Sequence, residues 1–162
     1  MSEAVPHAPE ALRAAFSSFP SGVTAVAAIQ NGLPAGLAAS SFTSVSLDPP
    51  LVSVCVAHSS TTWPLLRPLP SLGLSVLAEE HGVVARNLAV KKADRFAEID
   101  WASTEHGAVF VHGAALWLEC SLESEFLAGD HSIALLRLQR YWTYPEVAPL
   151  VFHGSRFRAL RD

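Results

Sequence analysis

The sequence is short of charge. Only 16% of its 162 residues are Asp, Glu, Lys or Arg, where an average soluble domain has roughly 25%. Half of the residues are hydrophobic and mean hydropathy is positive, at +0.29. A folded domain of this mass should expose about 7,800 Å². Either much of the apolar content is alanine in a filled core, or a partner covers part of it. No apolar run approaches the ~18–20 residues that span a bilayer. The N-terminal MSEAVPHAPE has neither a basic stretch nor an apolar one, so it does not read as a signal peptide. A net charge of −4 leaves no basic stripe for a nucleic-acid backbone. Cys55 and Cys120 make neither a disulfide framework nor a CxxC pair, and are expected as reduced thiols in the cytoplasm.

Other absences narrow the chemistry. Gly32-Leu33-Pro34-Ala35-Gly36 has the wrong spacing for a dinucleotide fingerprint, and there is no GxxxxGK[ST], HExxH or GxSxG. The seven histidines show no helical i, i+4 pairing, so no metal signature stands out. Cys55-x-x-His58 reads as a core thiol and a strand-end imidazole.

What is present is punctuated, extended sequence. Residues 1–8 read as a tail and 9–162 as one domain. Pro9 and Glu10 suit the start of a short helix to about Ser18, with Leu12 and Phe16 at i and i+4. Val23, Val26 and Ile29 lie in a strand-compatible run that ends at Asn31-Gly32, a strong hairpin signal. Leu51–Ala57 and Leu72–Leu77 are strands bounded by turn residues. Glu79 and Glu80 are expected to open a helix through about Val90, with Val83, Val84 and Leu88 on one side. KKADRF, at 91–96, is the densest charge cluster. From Leu116 the period is two, with Leu116, Leu118, Cys120, Leu122 and Phe126 facing one way and Glu119, Glu123 and Glu125 the other. Gly129-Asp130 turns the chain into a strand over Ile133–Leu138, and Gly154-Ser155 joins a last hairpin. Seven or eight short strands with two or three short helices predict a mainly-β barrel.

Three segments could carry chemistry. In Ala38–Ser46, small residues would let backbone groups approach a flat ligand closely; on composition alone, a Ser/Thr-rich edge strand facing water is the commoner reading. Ser59–Thr62 precede Trp63-Pro64, where hydroxyls and free N–H groups suit a phosphate, although ordinary N-capping is commoner. Arg67, Lys91, Lys92 or Arg95 could supply countercharge. His131, beside the Gly129-Asp130 turn, could face a cleft and titrate near neutrality, or be a half-exposed strand residue.

Seven segments occur in one order: SGVTAVAA, GLAASSFTSVSLDPPLVSVCV, HSSTTWPLLR, ADRF, LEC, GDH and PLVFHGSRFRAL. Together they resemble the short-chain NAD(P)H:flavin reductases, the reductase components of two-component flavin-dependent monooxygenases, over roughly residues 12 to 160. The resemblance implies an FMN-binding split β-barrel of antiparallel Greek-key type. It also implies a homodimer, FMN or FAD as flavin, NADH or NADPH as co-substrate, and a monooxygenase served by diffusible reduced flavin. Carried over by position, Ala39, Ser40, Ser41 and Phe42 would lie along the isoalloxazine. Ser46 and Cys55 would lie near the ring or ribityl chain, and Ser59, Ser60 and Thr61 at the phosphate. Arg95 would be a further phosphate contact, Gly22 a turn near the flavin, and His131 the histidine near the nicotinamide. Two departures bear on the nicotinamide pocket. Phe152-His153-Gly154 stands where relatives often have another aromatic, and Asn87-Leu88-Ala89 where many carry a phenylalanine. Three rivals make different predictions: a flavin-binding electron carrier without NAD(P)H activity, a barrel for a small apolar ligand, and a hydrolase using a serine with Asp130 and His131. Strand alternation should point Asp130 and His131 to opposite faces, which counts against the hydrolase.

Overall fold

The computed structural model of the chain describes residue 4 and residues 7–91 and 94–161. Most of the expected tail, together with Lys92, lies outside the described residues. In chain order the elements are α1 (Pro9–Phe16), β1 (Ser21–Gly22), β2 (Thr24–Gln30), β3 (Leu33–Ala39), β4 (Thr43–Leu47) and β5 (Pro50–Ala57). There follow α2 (Trp63–Leu66), β6 (Leu72–Val76), α3 (Gly82–Ala89), β7 (Trp101–Ser103) and β8 (Val109–Val111). The chain ends with β9 (Leu116–Ala128), β10 (His131–Thr143), β11 (Val151–His153) and β12 (Arg156–Arg158). Strands outnumber the expectation because several are only two or three residues long, below the reach of periodicity.

Seven strands form one antiparallel sheet in the order β3-β2-β6-β9-β10-β5-β4. The β3–β4 connection crosses from one edge to the other, and β5–β6 returns to the middle, as in a Greek-key barrel. Asn31 and Gly32 have φ of 51° and 80°, the left-handed pair that a tight two-residue hairpin demands. Side chains from β2, β3, β5, β6, β9 and β10 meet in one core around Val26, Leu37, Val54, Leu74, Cys120 and Leu136. The two sheet ends therefore curl around a shared interior. β3 is not hydrogen-bonded to β4 or β5, so the barrel is split there. Trp63 and Leu66 of α2, 5% and 0% exposed, fill this core.

β2 is buried on both faces. Val26 and Ala28 face the barrel, while Val23, Ala25 and Ala27 pack under α3 and β8 with Leu77, Leu88, Val109 and Leu150. Ala25, Ala27 and Ala28 thus sit where two layers approach one strand closely. By contrast α1 buries nothing: it forms where Pro9 predicts, yet Phe16 is 70% exposed.

Three expectations are corrected. α3 begins at Gly82, not at Glu79, because the Glu79 N–H is spent on the Ala148 carbonyl and His81 Nδ1 accepts the Ala78 N–H. Its buried residues are Ala85 and Leu88, whereas Val83 is 56% exposed. In β9 the period-two pattern breaks at a bulge: Leu135 pairs with Ser124 and Leu136 with Leu122, leaving Glu123 extra. An extra residue flips the alternation beyond it. Phe126 is accordingly 54% exposed, and Glu125 turns in to accept the Trp63 indole N–H at 3.1 Å.

Glu119 does face away from Cys120, but not into water. It is 2% exposed and accepts hydrogen bonds from Ser71, Thr104 and Arg140 at 2.9, 3.0 and 2.7 Å. Burial alone would raise its pKa; these bonds more than offset burial and hold it below the usual carboxylate range. The same burial, with Glu119 beside it, pushes the Cys120 thiol up to about 12, which leaves it unreactive. A carboxylate depressed in the folded state contributes stability above its unfolded pKa of roughly 4.3 and loses it as pH falls. Glu119→Gln should therefore cost about 1–3 kcal/mol at pH 7. The gap in melting temperature should close as both proteins are acidified below about pH 4. A gap that is flat with pH would refute the assignment.

Candidate active site

One cleft of about 400 Å³ opens where the barrel is split. Its first wall is formed by Ala38 and Ala39 at the end of β3, with Ser40 and Ser41 just past it. Its second wall is the end of β5, with Cys55 and Ala57, continuing into Ser59, Ser60 and Thr61. Leu88, Ala89 and Lys91 at the end of α3, Arg95, and His131 at the start of β10 complete it. Nine of the twelve residues singled out from the sequence are thus brought together, from four separate stretches of chain. Three are not. Gly22 pairs with Val151 in the small sheet, Phe42 packs against the barrel core, and Ser46 sits on the edge strand β4 opposite Leu51.

The walls are held by their own polar groups. The Ser41 hydroxyl accepts the Cys55 N–H at 2.8 Å and donates to the Cys55 carbonyl at 3.2 Å. That bridge joins β3 to β5 across the split, where no ladder exists, so the Ser41 side chain is a clamp. Its neighbours are small, which leaves backbone accessible along the wall.

The hydroxyl loop is less of a helix terminus than its sequence implies. α2 has four residues, too few for a useful dipole, and its N-cap Thr62 makes no side-chain cap bond. Ser60 Oγ accepts the Trp63 N–H at 3.1 Å instead. Among the described residues, no protein group bonds the Ser59 or Thr61 hydroxyl. Countercharge comes from Lys91 and Arg95. Arg95 Nη1 donates to the Gly36 and Leu88 carbonyls, both at 3.0 Å, tying β3 to α3 and leaving its other nitrogens for an anion. Arg67 lies away from the cleft, 3.1 Å from Glu125. Among the described residues, no Asp or Glu lines the cleft.

Asp130 and His131 correct the alternation argument. Asp130 lies in the turn and not in the strand, and its Oδ1 stands 2.6 Å from His131 Nδ1. Strand alternation does not reach a turn residue. The hydrogen bond to His131 holds the Asp130 carboxyl below its ordinary range. The contact fixes Nδ1 and leaves Nε2 as the ring's free nitrogen. His58, by contrast, turns from Cys55 to bond Ser132 Oγ at 3.0 Å.

A family model, the flavin reductase-like domain, matches residues 16–161. The chain belongs to the flavin reductase-like family. It is 38% identical over 150 residues to the actinorhodin polyketide dimerase of Streptomyces coelicolor, spanning 92% of this chain and 85% of that one. It is 38% identical over 152 residues to an NADH-dependent FAD reductase of Streptomyces globisporus, spanning 91% and 83%. The solved NADH:FAD oxidoreductase SgcE6 of Streptomyces globisporus superposes with a TM-score of 0.91 at 36% identity, over 100% of this chain and 99% of that one. Two relatives from Rhizobium meliloti are longer, and the chain spans 43% and 58% of them.

Within this flavin reductase-like domain, sequence reasoning missed Leu37, Val56 and Ala57 as lining residues, and it noted Leu88 and Ala89 only within the Asn87-Leu88-Ala89 departure. The two departures meet in space: Ala89 and Phe152 line a small hollow of about 180 Å³ that shares Ala38, Ala39, Ser40 and Ala89 with the cleft. Phe152 and Phe157 approach this hollow from the final hairpin.

Proposed function

We propose that the chain is an NAD(P)H:flavin oxidoreductase that passes a hydride from NADH to FMN or FAD in this cleft. Reduced flavin would then serve a separate monooxygenase. The observation that carries this reading is the meeting, in one cleft, of a small-residue wall, a hydroxyl loop with two cations, and an Asp-held histidine. The cleft residues fit a flavin. Small side chains at 38–41 admit a flat ring, Ser59 and Thr61 have hydroxyls to give, and no carboxylate among the described lining residues repels a phosphate. Flavin, when bound, supplies the hydride acceptor. The protein's part is to hold and orient. The small-residue wall would let backbone N–H groups approach the ring of a bound flavin, where they would stabilise its negative charge. His131, steadied by Asp130, positions the nicotinamide through its free Nε2. Hydride transfer needs no general base, so the chemistry does not call for a carboxylate in the cleft.

The same reading makes residues 9–162 one domain, in the cytoplasm, and the active form a homodimer. The two unpaired thiols support the location. The dimer is supported by surface: the chain exposes 9758 Å², where a monomer of its mass should expose about 7,800 Å².

The assay is oxidation of NADH and of NADPH with FMN, FAD or riboflavin. Flavin-dependent consumption is expected with at least one nicotinamide. His131→Ala should lower kcat/KM for the nicotinamide about 10–100-fold, the scale of one charge-assisted contact, with flavin affinity retained. No flavin-dependent consumption with either nicotinamide would refute the proposal. Flavin bound tightly but reduced slowly would favour the electron-carrier rival.

A further inference from the structure

α3 brings Leu88 and Ala89 to the cleft, and Lys91 follows them. At eight residues it is too short to hold its shape alone in water. Its place therefore depends on how its two ends are tied. Arg95 ties the C-terminal end through the Leu88 carbonyl. His81, the residue before Gly82, ties the other end. Its carbonyl accepts the Ala85 N–H at 2.9 Å, which starts the helix. Its N–H donates to the Ala78 carbonyl at 2.8 Å, and the Ala78 N–H returns a bond of 3.1 Å to the ring at Nδ1. Ala78 is 2% exposed, so water is a poor substitute for that acceptor. A nitrogen that accepts carries no proton, and the ring is therefore neutral with its proton on Nε2. Nε2 faces the turn between β8 and β9, where a Cβ at Gly113 would stand 3.5 Å away.

We infer that His81 is a positioning residue for the flavin: its neutral ring holds α3 against the cleft, and a second proton on the ring releases α3 and weakens flavin binding. The inference rests on the flavin reductase reading. A proton on Nδ1 would set one N–H against another and leave the Ala78 N–H without a partner. It would also place a cation at the positive end of α3. The charged groups around the ring do not cancel this. Of the two carboxylates before it in the chain, Glu80 acts on the ring, with Oε1 3.9 Å from the same Gly113 Cβ position. On α3, Arg86 lies over the Phe157 ring, 5.5 Å from its centroid. On the β8–β9 turn, the His112 ring faces Trp117. Burial holds the His81 pKa below the ordinary histidine range, and the Glu80 charge and a hydrogen bond with the His112 backbone offset only part of that. With the folded-state pKa below an unfolded value of roughly 6.5, the contact is intact above that pH and is lost as pH falls through the folded-state value.

The test measures the FMN dissociation constant by flavin fluorescence quenching across the acidic range, with the unmodified chain, His81→Asn and His81→Ala. The Asn side-chain oxygen takes the place of Nδ1 as acceptor and does not titrate. The FMN phosphate and His131 also titrate in this range, so the reading is the difference between proteins. From about pH 7.5 to about pH 5 the unmodified chain should lose at least about fivefold more affinity than His81→Asn, the effect of one proton taken up. His81→Ala should bind FMN about threefold to tenfold more weakly already at about pH 7.5, the scale of one lost hydrogen bond. Circular dichroism should show the strands intact throughout. Parallel pH curves for the unmodified chain and His81→Asn overturn the inference. So does undiminished affinity in a folded His81→Ala protein; if that variant does not fold, the His81→Asn curve decides alone. Unfolding of the whole unmodified chain in step with lost binding overturns it too, since the release is local to α3. Binding of neither FMN nor FAD at any pH would refute the flavin reductase reading itself, and the inference with it.

Discussion

Gly73→Ala is expected to destabilise the fold severely. Gly73 lies in β6, paired with Ala27 on one side and Glu119 on the other, near the centre of the main sheet. β8 crosses directly over it. A Cβ at Gly73 would overlap the Val109 carbonyl oxygen and stand 2.8 Å from the Val109 carbonyl carbon and nitrogen. All three are backbone atoms, so no rotamer change relieves the clash. β8 is pinned in turn: the Val111 N–H bonds Ser75 Oγ at 3.0 Å, and Phe110 stacks on Trp117 at 5.0 Å. Relief therefore means lifting β8 off the sheet and opening the core beneath. A loss above about 4 kcal/mol is expected, a large part of the roughly 5–15 kcal/mol that a domain has. Soluble expression and a urea melt would show it. Gly22→Ala is the control: nothing lies within 4 Å of its Cβ, and the change should stay within about 0.5 kcal/mol. A Gly73→Ala protein melting within a few degrees of the unmodified one would contradict the packing of β8 on β6.

That glycine shows where sequence reasoning stops. The Asn31-Gly32 turn was readable because its backbone angles are a local demand. The barrel was readable because short, punctuated strands have few other ways to hide one face. β7 and β8 were not, since three residues carry no period, and the need for glycine at 73 belongs to the strand that covers it. The bulge at Glu123 was equally hidden: an unbroken alternation in the sequence cannot announce that the partner strand skips a residue. For the site, residue types at Ala39–Ser41 and Ser59–Thr61 were legible as small and hydroxylic. Their convergence with Arg95 and His131 was legible only through the order of motifs, because four distant stretches meet in space. The Asp130–His131 contact was misjudged for one physical reason, a strand rule applied to a turn.

The low charge of the chain leads to the second large effect. Directly paired residues on antiparallel strands share a face. Ile133 pairs with Cys55 and Phe126, Leu135 with Ser53 and Ser124, and His131 with Ala57 and Ala128. These nine residues therefore lie on one outer face of β5, β10 and β9, and none of them is Asp, Glu, Lys or Arg. Their neighbours in sequence, Val54, Val56, Ala134 and Leu136, fill the barrel. Ile133 is 37% and Phe126 54% exposed, and Leu47 on the adjoining edge strand is 94% exposed. Cys55, Ala57 and His131 also line the cleft, so whatever covers this face borders the cleft too. Under the proposed homodimer, a second copy covers it, in an interface of about 2,000 Å² or more. Ile133→Lys with Leu135→Lys should then convert a species near 35 kDa, twice 17.3 kDa, to 17.3 kDa by light scattering. Two-fold symmetry sets four unpaired ammonium groups in one apolar interface, and each costs several kcal/mol to desolvate. Both side chains point away from the barrel core, so the separated chain should keep its strand content by circular dichroism. Flavin affinity should fall at least tenfold with the partner gone, the cost of about 1.4 kcal/mol of lost contact. A double variant that stays near 35 kDa, twice the 17.3 kDa chain, would place the interface elsewhere. An unmodified chain at 17.3 kDa would leave this face, and the apolar composition that predicts its cover, without a partner.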